Sequence, residues 1–426
     1  MSSSSIPART LTHARRWMTA GLVVSILGTR LIEGGSDGLV ALGLLPVVWV
    51  AVLTTAGELI SFASPVMASF FARFSPAGVL IASDLLEAVV SAVAFIIILV
   101  APSLLVPVLI VYLLISVVFP AITDVVEEFY GQQLAQADPD EAMTFNASIY
   151  SILAFIGIVF AMPLGSVLAG VSIHVLLAAN MTLSAAGTLL RFVSSRTVVT
   201  LPPVEQDAED FAVFGKRMAF KPFMKDLVTT GVASPLFSFL TATGATVGGI
   251  YVYLAGAASS DMPPTDALGL TVAAFGVGAT IGPWIAKALS KLGDLSRTVS
   301  RLLWMTVVFL LALSIAFATA NGQISWWIGI VYALFIGFLA RMRAVLTTTL
   351  RQRSFRGSRF GRIMSWSFAA TALGTSVGSW LAIVVNATEF PQVAVFIYAL
   401  FLVAAALLAM QTHKNTDCYA AAGRKV

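Results

Sequence analysis

None of the 25 Lys and Arg residues of this chain falls in a loop that a reading with twelve membrane spans places on the outer side, and Arg30 stands out deep within the first span. Cytoplasmic loops of inserted proteins hold the excess of Lys and Arg, so the tally tests the number of spans as well as their orientation. One missed span would scatter the charges over both sides. The asymmetry therefore sets a topology and singles out Arg30 as a cation inside the bilayer in the first half of the chain.

Each crossing of a hydrocarbon core about 30 Å thick takes about 20 apolar residues. Stretches of that kind lie at 17–43, 47–71, 79–100, 104–126, 146–170, 173–192, 226–254, 267–290, 302–320, 325–347, 363–386 and 392–412. The composition agrees, with 58% hydrophobic and 11% charged residues, against about 25% charged in soluble domains. The expected fold is an all-α polytopic membrane protein with both termini in the cytoplasm. Residues 1–16 form an N-terminal tail, 17–192 a first six-helix bundle, 193–225 a linker, 226–412 a second bundle and 413–426 a C-terminal tail. Arg9, Arg15 and Arg16 resemble the start of a signal peptide, but the apolar run behind them is too long and too charged for one, so it is expected to be retained. The linker carries Pro202-Pro203, an acidic run from Glu205 to Asp210, and then Lys216, Arg217, Lys221 and Lys225. Gly165-Ser166-Val167-Leu168-Ala169 and Gly378-Ser379-Trp380-Leu381-Ala382 are echoes in spans five and eleven. With the six-plus-six count they point to parallel repeats around a central cavity.

Several function classes are disfavoured. A pI near 9.3 would suggest nucleic acid in a soluble protein, but here the basic residues sit beside lipid headgroups. Cys418 is the single cysteine, and His13, His174 and His413 are far apart in sequence, which leaves little for a disulfide, a metal site or any other cofactor. No His-Glu-x-x-His and no Gly-Lys-Ser/Thr phosphate loop argues for an enzyme. Gly278 with Gly282, and Gly374 with Gly378, have the four-residue spacing that lets helices approach closely, which reads as packing.

Charges within spans are the informative exceptions, since each costs roughly 2.5–3.5 kcal/mol at a helix centre on insertion scales and so faces partners or water. Arg30, Glu33 and Asp37 recur at i, i+3 and i+7 on span one, within one stripe. Arg30 lies about 20 Å along the helix from Trp17 by the helical rise, near the midplane, with Asp37 towards the outer mouth. Span two presents Thr54, Thr55, Glu58, Ser61 and Pro65 on one broad face. Asp84 and Glu87 lie only about 8–12 Å into span three by the same rise, which suits a gate or a structural ion pair. Glu58, with no basic residue within a turn, is the preferred proton carrier, and Glu33 is the second choice because Arg30 beside it favours its charged form. Arg30, Asp37, Thr54 and Arg341 are expected to line the substrate cavity; Arg30 with Glu33 can equally be a structural ion pair.

Pro65-Val66-Met67-Ala68-Ser69-Phe70-Phe71-Ala72-Arg73-Phe74 at the end of span two resembles the Gly-x-x-x-Asp-Arg motif of the major facilitator superfamily, with Arg73 kept and Ala68 and Ala72 in place of Gly and Asp. Ser83-Asp84-Leu85-Leu86, Phe119-Pro120-Ala121, Asn146-Ala147 and Phe360-Gly361-Arg362-Ile363-Met364-Ser365 carry further likeness. Gly157, Pro163 and Gly165 form a degenerate Gly/Pro motif in span five. The resemblance spans most of the chain and is nearest to the drug:proton antiporter branch, with its macrolide-efflux and enterobactin-exporter-like members. It implies gating by Arg73, Asp84 and Glu87, and export of an amphipathic compound against protons by alternating access. Expected partners are a small-molecule substrate, protons and membrane lipids, with a monomer in a bacterial inner membrane. Movement of another solute, such as an anionic nutrient or siderophore, a metal ion or a lysolipid, stays open.

Overall fold

A computed structural model describes residues 8–62, 74–123, 126–127, 130, 153–197, 231–289, 295–320, 323–354 and 357–422. Regular structure among them is helical throughout. In lipid the backbone has no water to bond, so an isolated segment satisfies its N–H and C=O groups only by coiling on itself. We number the helices α1 (Ala8–Ala41), α2 (Val48–Phe62), α3 (Pro76–Val100), α4 (Leu105–Ser116), α5 (Met162–Val171), α6 (Ile173–Thr197), α7 (Pro235–Val247), α8 (Ile250–Ala258), α9 (Pro264–Leu289), α10 (Leu295–Thr319), α11 (Gln323–Ser354), α12 (Gly357–Val384) and α13 (Pro391–Ala422). Nine helical stretches among the described residues are long and apolar enough to cross a membrane, and Val48–Phe62 and Phe155–Val171 are shorter apolar helices. With α1, which is 34 residues long but carries the Arg30 stripe, they make the twelve crossings that the charge asymmetry requires.

Several boundaries follow local chemistry. Ser75 caps α3 by accepting from the Gly78 N–H, and Pro76 takes the first turn, where a missing donor costs nothing. Ser234 and Pro235 start α7 in the same way. Pro235 therefore opens a helix instead of bending one, and the seventh crossing begins with a short 3-10 turn at Gly231–Ala233. That crossing is broken between α7 and α8 at Gly248-Gly249. The Tyr332 hydroxyl donates to the Gly248 carbonyl, and a Cβ on Gly248 would lie 2.5 Å from that hydroxyl oxygen and 2.6 Å from Tyr398 Cδ1. Glycine is the residue this approach permits. Before α5, residues Leu153–Ala161 form π-helical turns.

Contacts divide the chain into two units, Met1–Leu44 with Ala63–Phe211, and Leu45–Phe62 with Ala212–Val426. In the first, α1 packs on α5 and α6, and α6 also packs on α3. In the second, α7 lies against α12 and α13, α9 against α11, and α10 against α13. The small-residue pairs do the expected packing: a Cβ on Gly278 would stand 1.9 Å from the Leu334 carbonyl oxygen, and one on Gly374 2.6 Å from that of Phe239. By its contacts α2 belongs to the second unit, where it lies on α12 and where the Trp380 indole N–H donates to Thr55 Oγ1 at 3.0 Å.

Candidate functional site

The first unit holds charge in two places. On α1 the Arg30 guanidinium donates to the Glu33 carboxylate one turn on, and the two side chains keep 41% and 36% of their surface. Arg30 packs where the π-helical turns pass: a Cβ on Gly157 would lie 3.2 Å from Arg30 Cγ. Bulk at 157 would push the arginine aside. Asp37 is half-buried two turns further along the same stripe.

The second place is closed. Asp84 on α3 is 1% exposed and Arg191 on α6 is 0% exposed, with Arg191 Nε 3.1 Å from Asp84 Oδ2. Arg191 Nη1 donates to the Leu80 carbonyl at 3.0 Å, and the Ser25 hydroxyl of α1 donates to Asp84 Oδ1 at 2.7 Å. One turn along α3, Glu87 is equally buried, and Asn180 Nδ2 of α6 stands 3.3 Å from its Oε1. The same amide nitrogen is 3.0 Å from Ser91 Oγ and 2.9 Å from the Tyr112 hydroxyl of α4. Glu127 lies close enough to Arg191 to stabilise its charge.

This cluster fits because α1 has glycines every seven residues along the edge that meets α6. A Cβ on Gly21 would stand 2.6 Å from Arg191 Cγ, and one on Gly28 2.4 Å from Asn180 Oδ1. Gly187 of α6 makes the matching space beside Asp84. Met18, Leu22, Leu80, Val126 and Tyr130 cover one end with an apolar cluster.

In the second unit, Thr54 and Glu58 are half-buried on α2, and Arg341 of α11 is exposed, its Cβ 3.4 Å from where one on Gly282 would lie. Beyond the end of that span, Arg351 donates through Nε to the Ala233 carbonyl at 3.2 Å and through Nη2 to Ser238 Oγ. Burial pushes its guanidinium down to about 10, still charged at neutral pH. Arg73 lies outside the described residues. No group of three or more His, Cys, Asp or Glu able to hold a metal occurs among the described residues.

No protein-family model matches the sequence, and no curated protein does. Solved structures do match. The chain covers 96% of the xylose transporter XylE from E. coli in its inward open conformation, with 94% of its own length, TM-score 0.68 and 15% identity. It covers 98% of a bacterial homologue of the iron transporter ferroportin in its inward-facing state, with 93% of its own length, TM-score 0.64 and 17% identity. For the human organic anion transporter MFSD10 the figures are 99%, 94%, 0.58 and 13%. The chain has the major facilitator fold.

Within that fold, the sequence stripes are placed as follows. Arg30 with Glu33 are brought together in the first unit, as are Asp84 and Glu87 on one face of α3. Sequence reasoning missed Arg191, which it counted with the cytoplasmic charge at the end of span six, and Asn180, one polar residue in an apolar run. A signal existed: Asn180, Ser184, Gly187 and Arg191 recur at i, i+4, i+7 and i+11, a polar face on a helix that is otherwise apolar.

Proposed function

We propose that this protein is a secondary transporter of a bacterial inner membrane that exports an amphipathic organic compound in exchange for protons by alternating access. The observation that carries the proposal is the surface that Arg30 and Glu33 retain within the first membrane-crossing helix. A charged pair is not left facing hydrocarbon at the insertion cost cited above, so surface retained at that depth is surface open to water and solute. Solved proteins of this fold include transporters of xylose, nucleosides and organic anions and a bacterial homologue of an iron transporter, which supports the same class of activity.

In this reading Arg30, Asp37, Thr54 and Arg341 meet the substrate, and Glu58 carries the proton, with Glu33 as the alternative. Glu58 suits the task because its helix has no basic residue within a turn, so its charge depends on its surroundings. Arg73, Asp84 and Glu87 serve the gate. The protein works as a monomer surrounded by lipid.

The test is flux of a fluorescent amphipathic dye in proteoliposomes under an imposed pH gradient. Glu58→Gln is expected to abolish gradient-driven flux while dye exchange at equal pH persists. Full gradient-driven flux in Glu58→Gln removes Glu58 from coupling. A second reading, transport of an organic anion, is favoured by the surface that the two intramembrane cations Arg30 and Arg341 retain. Loss of anion binding, with dye binding kept, on neutralising either arginine would select it.

A further inference from the structure

Among the described residues, the closed cluster holds more acidic than basic side chains. Asp84 and Glu87 are two carboxyls on α3, buried to 1% and 2% exposure, and Arg191 is the one guanidinium among them. The groups facing Glu87 can be named helix by helix. On α3 it has Asp84 and Ser91, on α4 the Tyr112 hydroxyl, and on α6 Asn180, Ser184 and Arg191. On α1, Ser25 and the small Gly28 face the cluster through Asp84 and Asn180. Glu127 adds a further acid near Arg191. No second Lys or Arg faces the cluster among these groups.

The two carboxyls share Arg191 unequally. Asp84 accepts from the Ser25 hydroxyl at 2.7 Å and has Arg191 Nε at ion-pair distance, 3.1 Å from Oδ2. Glu87 has the Ser184 hydroxyl beside it and the Asn180 amide at 3.3 Å, and that amide serves two hydroxyl oxygens as well. An NH2 group has two hydrogens for these three neighbours. At its other end Asn180 Oδ1 has no hydrogen-bond donor, although the residue is 0% exposed, and Asp84 Oδ2 and Ser184 Oγ likewise lack one. The cluster thus has two buried carboxyls beside one guanidinium, and several buried oxygens with no hydrogen. A single proton on Glu87 eases both: it removes one of two buried negative charges and turns an acceptor into a donor among buried oxygens that lack one.

We propose that Glu87 is a second proton-binding site, loaded while α1 is seated on α6 and unloaded when that seam opens to water. The seam is where the glycines of α1 meet Arg191 and Asn180, so separating the two helices uncovers the whole cluster at once. The proposal rests on the reading of the protein as a proton-coupled transporter, and it assigns to the gate residue Glu87 a proton distinct from the one carried by Glu58. The proton moves on and off a carboxyl oxygen, and no other bond changes.

Infrared spectroscopy of the full chain in liposomes, titrated with pH and with no substrate present, tests this directly. One component of the carbonyl stretch of protonated carboxyls should persist at neutral pH, be lost in Glu87→Gln and remain in Glu58→Gln. Glutamine has the shape of the neutral acid, so the variant should fold. Asp84→Asn keeps Glu87 but removes the competing charge, so the band should titrate at lower pH there. Absence of the band at neutral pH, its survival in Glu87→Gln, or an unmoved titration in Asp84→Asn overturns the proposal. Absence of gradient-driven dye flux in the unaltered protein would sink the transport reading while leaving this spectroscopic result intact.

Discussion

Arg30 with Glu33 and Arg191 with Asp84 are the same chemical pair in one unit of the molecule, yet the first keeps over a third of its side-chain surface and the second almost none. The first joins residues one turn apart on one helix, so it forms whatever the neighbouring helices do. The second joins α3 to α6 across 107 residues of sequence and exists only when those helices are seated. A local pair can stay accessible and serve transport. A pair that closes a seam is committed to the seam, and it pays for burial with contacts from Ser25 and the Leu80 carbonyl.

The comparison makes its largest prediction at Arg191. Arg191→Ala leaves Asp84 buried without its cation, and breaking a buried pair in this way costs about 3–5 kcal/mol. Thermal unfolding in detergent should show a large drop, partly recovered by adding Asp84→Asn. A small drop would mean that water reaches the cluster. Gly187→Ala comes next: its Cβ would stand 3.1 Å from Asp84 Oδ2 and 3.2 Å from Ser25 Cβ. Overpacking of that kind costs about 1–3 kcal/mol, and the same melting measurement reads it. Arg30→Gln should matter least for stability, below about 1 kcal/mol, because the pair is exposed. Its effect should appear in dye flux, which is expected to fall; unchanged flux would place the α1 pair outside the transport path and erase the contrast.

Much of the fold was legible in the chain. Lipid offers no hydrogen bonds, so apolar length and Lys/Arg asymmetry translate almost directly into helices and topology. The α1 pair was legible too, because i and i+3 are neighbours on any helix. Asp84 and Glu87 were visible as a buried-charge problem but not their solution, since Arg191 looked like one more cytoplasmic cation at the end of span six. Its burial depends on Gly21 and Gly187 leaving space between α1 and α6, which spacing on one helix cannot reveal. The break at Gly248-Gly249 was likewise unread, because it is completed by Tyr332 and Tyr398 from other helices.

By itself the sequence determined that this chain coils into membrane-crossing helices and which charges share a stripe on one helix. These follow from solvation and helical period, both properties of neighbouring residues. Only the tertiary structure decided which charges are sealed and which stay open, because that depends on how closely distant helices approach, and that approach is set by glycines facing side chains from elsewhere in the chain.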